Sequence, residues 1–195
     1  MGKAVARLAA GVVVGSLVVV VPLGVGSVPP AGAAATTTVG FWSMDEPAGA
    51  TTLVDSSGNG QHGTIGAEVV SNVRYDGATA HSYPTVPTAA PPPHPERLDR
   101  IPDSTLLDPG TSDYTVTVRY RTTRPFGNIV QKGQNATVGG YWKFEAPQGI
   151  VTCLFKGSQG EQRAVNSQIA LNDGEWHVVR CERTATGLRM TVDGV

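Results

Sequence analysis

The chain has 195 residues, with 15 Lys and Arg against 16 Asp and Glu. This near balance, without a basic run or an acidic tail, excludes the charge signature of a nucleic-acid binder. Twenty-four glycines and 14 prolines break the chain into short pieces, which suits an all-β fold better than a helical one.

The N-terminus opens with Lys3 and Arg7, followed by an apolar run from Leu8 to Val28 and the small-residue stretch Ala31 to Ala35. That order of basic, apolar and small residues predicts a secretory signal peptide over residues 1–35, cut after Ala33 or Ala35. The alternative is an uncleaved anchor, because the run approaches the ~20 apolar residues of a spanning helix. The prolines and alanines after the run favour cleavage. Residues 36–195 then make one domain by the usual length of ~100–200 residues.

From Thr38 onward no segment has the period of an amphipathic helix. Short β-rich runs recur instead: Val39 to Met44, Tyr114 to Thr122, Asn128 to Lys132, Tyr141 to Glu145, Val151 to Lys156, Arg163 to Ala170, Trp176 to Thr184 and Leu188 to Val192. Turn residues such as Pro147-Gln148-Gly149 and Asn172-Asp173-Gly174 separate them. Many short strands without helices predict a two-sheet antiparallel sandwich or barrel. The segment 84–97 interrupts the rhythm: Pro84 to Pro95 holds six prolines. Proline lacks the ladder N–H, so a surface loop is expected.

Alternation assigns the faces. Tyr114, Val116, Val118 and Tyr120 share one side of their strand; Trp142 and Phe144, and Val151, Cys153 and Phe155, do the same on theirs. His177, Val179 and Cys181 also fall together. The opposite positions are polar, as in half of a sandwich.

Cys153 and Cys181 are the two cysteines, and in an exported protein such a pair reads as one disulfide. The bond needs Cα atoms roughly 4.4–6.8 Å apart, which facing residues on neighbouring antiparallel strands satisfy. If it forms within one sheet, the strands of Cys153 and Cys181 are neighbours and the segment from Arg163 to Ala170 leaves for the other sheet or an edge.

Several motifs in order then resemble a known family. Gly40-Phe41-Trp42-Ser43-Met44-Asp45-Glu46, Gly49, and Asp55-Ser56-Ser57-Gly58-Asn59-Gly60-Gln61-His62-Gly63-Thr64 are similar to the opening of bacterial laminin G-like, concanavalin A-like domains. Tyr75-Asp76-Gly77, Leu107-Asp108-Pro109-Gly110, Asn172-Asp173-Gly174-Glu175-Trp176-His177 and Val192-Asp193-Gly194 resemble later landmarks, and the cysteine pair resembles actinobacterial members. The resemblance implies a jelly roll over residues 36–195, a noncatalytic module that binds carbohydrate or a cell-surface glycan, and a possible structural calcium. Such domains continue beyond Val-Asp-Gly, so a C-terminally truncated member is expected.

Three groups of residues are site candidates. Asp55 and Asn59 could offer oxygen ligands to calcium, or could bond local backbone N–H groups in a tight turn. Arg119, Arg121, Lys143, Glu145, Lys156, Arg180, Glu182 and Arg189 could line a groove for an acidic glycan, with Tyr141, Lys143 and Arg180 as contacts; or they form a solvated face of weak ion pairs. Trp42, Trp142 and Trp176 are expected in the core, and His177 as a structural histidine with a backbone partner. Asn135-Ala136-Thr137 has the form of a glycosylation acceptor.

No enzyme is predicted. Retaining glycoside hydrolysis needs two carboxylates about 5–5.5 Å apart, and no strand carries paired acids in a Glu-x-Asp-x-x-Glu pattern. The alternative to a free-standing binding module is an accessory or structural piece of a larger extracellular glycoside hydrolase or adhesion protein. Neither nucleic acid nor, after signal cleavage, a membrane is expected as a partner.

Overall fold

The computed structural model describes residues 13–22, 36–85, 94–135 and 139–195. In chain order the strands are β1 (Val13–Pro22), β2 (Thr36–Trp42), β3 (Thr52–Leu53), β4 (Gly63–Thr64), β5 (Val70–Tyr75), β6 (Ala78–Ser82), β7 (Tyr114–Arg121), β8 (Asn128–Lys132), β9 (Tyr141–Glu145), β10 (Ile150–Lys156), β11 (Gln162–Ala170), β12 (Trp176–Thr184) and β13 (Gly187–Val192). Among the described residues, helical structure is confined to 3-10 turns at Pro95–Arg97, Thr105–Leu107 and Pro147–Gly149. Among those residues no helix is long and apolar enough to cross a membrane.

Two antiparallel sheets form the sandwich. The seven-stranded sheet runs β13-β12-β7-β1-β6-β5, with β2 also on β1; the four-stranded sheet runs β11-β10-β9-β8. The chain passes to the small sheet after β7 and returns at β12, which pairs with β7. That return gives the jelly-roll crossing. The inner faces follow the alternation: Tyr114, Val116, Val118 and Tyr120 of β7 meet Trp142 and Phe144 of β9 and Val151, Cys153 and Phe155 of β10 in one buried cluster. Tyr114 packs edge-on against Phe155 and tilted against Trp142, the geometry that ring quadrupoles favour. Trp42 is fully buried and folds back over Gly40, where a Cβ would stand 2.3 Å from its ring. Glycine is the residue that this packing admits.

One expectation changes. The Cys153–Cys181 disulfide forms, with Cα atoms 6.4 Å apart and both residues buried. However, Cys153 is on β10 and Cys181 on β12, so it ties one sheet to the other and not two neighbours within a sheet. The segment from Arg163 to Ala170 therefore does not leave: β11 is the hairpin partner of β10. Stacked sheets lie ~10 Å apart, so the bridge marks a point where they converge, which two small side chains permit.

The leader segment also has a place in the sheet. Residues 13–22, expected as part of a removable signal peptide, form β1 inside the large sheet, between β2 and β7. Val19 lies in the core, 1% exposed. The expected cuts after Ala33 and Ala35 lie outside the described residues, as does most of the proline-rich segment 84–97.

Candidate functional site

The eight charged residues expected on one face, and Tyr141 with them, divide between two. Arg119 and Arg121 of β7, Arg180 and Glu182 of β12 and Arg189 of β13 belong to the seven-stranded sheet; Tyr141, Lys143 and Glu145 of β9 and Lys156 of β10 belong to the four-stranded one. The outer faces of a sandwich point in opposite directions, so Tyr141 and Lys143 cannot share a groove with Arg180. Period-two alternation reports inside against outside; it cannot report which sheet. On the small sheet Lys143 pairs with Glu145, and Lys156 reaches the Asn135 side chain at 2.8 Å.

The outer face of the large sheet holds the richer cluster. Arg121 is directly opposite Trp176 across β7 and β12. The guanidinium of Arg119 lies 3.9 Å from the Trp176 ring centroid, and that of Arg121 lies 5.0 Å from the Tyr75 ring. Tyr75 meets Trp176 edge-on at 6.4 Å. Trp176 is half-buried on this outer face, not in the core where Trp42 and Trp142 reside. Its even position on β12 puts it with Val178, Arg180 and Glu182, a parity readable from sequence but outweighed there by the usual burial of tryptophan. Farther along β12, Arg180 donates to Glu182 at 2.6 Å.

Asp55 does not present a calcium cage. Its Oδ1 accepts from the N–H groups of Phe41 and Ser57, and its Oδ2 from the Ser57 hydroxyl and the Gln61 N–H. Four donors fill the acceptor sites of a carboxylate. Burial tends to raise its pKa, but these donors outweigh it and hold the carboxyl below its usual value. Asn59 turns its amide NH2 toward Thr38 O and Ser57 Oγ. The loop is a closed brace on β2. Among the described residues, no group of three His, Cys, Asp or Glu side chains could hold a metal ion.

His177 shares the Cys181 side of β12 as expected, but its partners are carboxylates and not backbone: Nδ1 meets Asp193 at 2.8 Å and Nε2 meets Asp173 at 3.1 Å. Burial would lower its pKa; the two acids outweigh that and raise it. Asn135 is described, whereas Ala136 and Thr137 lie outside the described residues.

A further cluster has no sequence signature. His81 on β6, 0% exposed, places Nδ1 2.7 Å from Asp99 and Nε2 2.9 Å from Glu46. The Tyr83 hydroxyl donates to the same Asp99 oxygen at 2.7 Å, and Glu46 accepts from the Val54 N–H at 2.7 Å. Burial would depress the His81 pKa, but its bonds to the two carboxylates outweigh burial and raise it to about 9. Glu46 is pushed up by burial and down more strongly by His81 and the Val54 N–H. Tyr83 is held well above its usual value by burial beside Asp99. Since Tyr83 precedes the proline-rich segment and Asp99 follows it, the network closes the base of that loop. Enclosed in this way, the acids and the imidazole brace the fold.

A laminin G domain model matches residues 120–195, which carry both halves of the disulfide. Neurexin 1 of Drosophila melanogaster is 30% identical over 87 residues, 44% of this chain. The chain covers 5% of that protein's length. No solved structure matches. The chain is a disulfide-bridged β-sandwich jelly roll whose residues 120–195 are similar to the laminin G domain.

Proposed function

We propose that the chain is a secreted, noncatalytic binding module for an acidic polysaccharide or cell-surface glycan, held on the outer face of the seven-stranded sheet around Trp176. The observation that carries this is the guanidinium of Arg119 over the Trp176 ring, with Tyr75 and Arg121 beside it. An indole offers an apolar platform to a sugar ring. Guanidinium groups next to it offer forked donors that match carboxylate or sulfate oxygens. Arg180 extends the positive character along β12; at ~3.3 Å per residue it lies about 13 Å from Trp176. The leader pattern supports secretion. The laminin G similarity supports a binding role.

Glycan-array screening, followed by calorimetry with a sulfated or uronic acid oligosaccharide, tests this. Arg119→Ala combined with Arg121→Ala should weaken binding at least ~10-fold, since charge-assisted hydrogen bonds contribute about 1.5–3 kcal/mol each. Lys143→Ala, on the opposite sheet, should leave binding unchanged. Unaltered affinity in the double arginine variant with a normal melting curve would remove this face from consideration. A second reading, an accessory or structural module of a larger extracellular hydrolase or adhesion protein, is supported by the 5% of neurexin that the chain spans.

A further inference from the structure

Resting on the glycan reading above and deepening it, we propose that Arg119 is the specificity-determining residue of the outer-face site. Its guanidinium covers the Trp176 platform and gives it up only to a sugar that brings its own anion, a uronic acid.

Arg119 and Trp176 are diagonal neighbours: across β7 and β12, Arg119 is opposite Val178 and Arg121 is opposite Trp176. From that position the guanidinium carbon of Arg119 reaches 3.9 Å from the indole centroid. Carbon atoms in contact are ~3.5–4.0 Å apart, so nothing fits between the two groups. A sugar ring stacks on an indole at the same contact distance. On this face of Trp176, guanidinium and sugar therefore exclude one another. The rest of the ring offers a ligand less. Tyr75 crowds it at 6.4 Å and 70°. Its Nε1 is buried and has no hydrogen-bond partner among the described residues, so it cannot donate to a ligand at the surface. Trp176 has a face to offer, and Arg119 holds that face.

The arginines of this face differ in what tethers them. Arg121 reaches Asp76 at 3.4 Å as well as the Tyr75 ring, and Arg180 donates to Glu182 at 2.6 Å. Among the described residues Arg119 has no carboxylate partner, and its opposite neighbour Val178 is apolar. The indole is what holds it. A cation–π contact at an exposed site is worth a factor of roughly 2–5 in an equilibrium constant. A hydrogen bond to a charged partner is worth roughly 10–100-fold. The stack therefore penalises every sugar that takes the indole face, and a carboxylate more than repays the penalty. A uronic acid suits the exchange because its planar carboxylate is attached directly to the sugar ring. The displaced guanidinium can fork onto that carboxylate beside the ring that has taken its place. A neutral sugar breaks the stack and leaves the guanidinium without an anion.

Calorimetry with a glucuronic acid oligosaccharide and its carboxyl-reduced, neutral counterpart reads the exchange. The wild-type chain should bind the acidic oligosaccharide at least ~10-fold more tightly than the neutral one. In Arg119→Ala the acidic ligand should weaken at least ~10-fold while the neutral one tightens about 2–5-fold, so the two affinities converge. Trp176→Ala should weaken both. Arg119→Lys covers the case that the alanine variant does not fold, because it keeps the charge without the flat stack. There the neutral ligand should again tighten, and the acidic one should weaken less than in Arg119→Ala. A wild-type chain that binds neither oligosaccharide overturns the glycan reading and the proposal with it. If the wild type binds both equally, or if the Arg119 variants leave the neutral affinity unchanged or lower it, the face remains a glycan site and the control assigned to Arg119 is overturned.

Discussion

The two halves of the sandwich are fastened by different means. In the C-terminal half, the Cys153–Cys181 bond ties β10 to β12 through the core. In the N-terminal half, two carboxylates, an imidazole and a phenol join the loop after β2, strand β6 and both ends of the proline-rich segment. The first fastening is covalent and indifferent to proton activity. The second holds buried charge, so it works only while every member is present and in the right ionisation state. The difference is between a cross-link that acts mainly by limiting the unfolded chain and a polar cluster whose value depends on complete satisfaction.

The largest break in that comparison should come from His81→Gln. It removes the cation that Glu46 and Asp99 share and leaves two buried carboxylates, 5% and 1% exposed, without it. Breaking a buried ion pair from one side costs about 3–5 kcal/mol. Urea unfolding should show that loss, and limited proteolysis should open first near the proline-rich segment. A loss below ~1 kcal/mol would mean that the carboxylates reach water easily and that the network is not a fastening.

Cys153→Ala with Cys181→Ala sharpens the other side. The bond spans 28 positions, and chain-entropy reasoning gives about 3 kcal/mol for a loop of that size. The denaturant midpoint should fall accordingly, and the loss should be the same at pH 6 and pH 8. A pH-dependent loss would show that the two fastenings are coupled.

What could be read from sequence divides along the same line. From β7 to β13 the expected runs coincide with the observed strands to within a residue or two: Tyr114 to Thr122 against Tyr114–Arg121, and Arg163 to Ala170 against Gln162–Ala170. Hydrophobic period two is a local signal and survives without knowledge of partners. Sheet membership is not local, so alternation groups Lys143 with Arg180 while the fold sends them to opposite outer faces. The bridge was predictable from the cysteine count, but its crossing between sheets was not. In the N-terminal half the strands are short or irregular. β3 and β4 have two residues each, and β5 carries a register shift against β6. Glu46, His81 and Asp99 are scattered over more than 50 positions with no spacing rule to gather them. Strand β1 was hidden for a different reason: the same residues carry a stronger signal for export than for folding.

The smallest of these effects needs no substitution. The folded-state pKa of His81, about 9, is above the ordinary 6.5 of an unfolded histidine. A group raised on folding stabilises fully below its unfolded pKa, and the contribution disappears as pH rises through the folded one. Raising the pH from 6 to 8 should therefore cost about 2 kcal/mol of unfolding free energy, from 1.36 kcal/mol per pKa unit. Glu46 acts at the opposite end: its lowered pKa gives stability that fades only in acid, below the ordinary carboxylate range. His177 is also raised, by Asp193 and Asp173, so it adds to the alkaline loss with the same sign. The His81→Gln variant separates the two, because its stability between pH 6 and 8 should keep only the His177 part of the slope. If wild type and variant lost stability in parallel over that range, the His81 pKa would be the same in the folded and unfolded chain, and the stabilising charge assigned to the N-terminal fastening would be wrong.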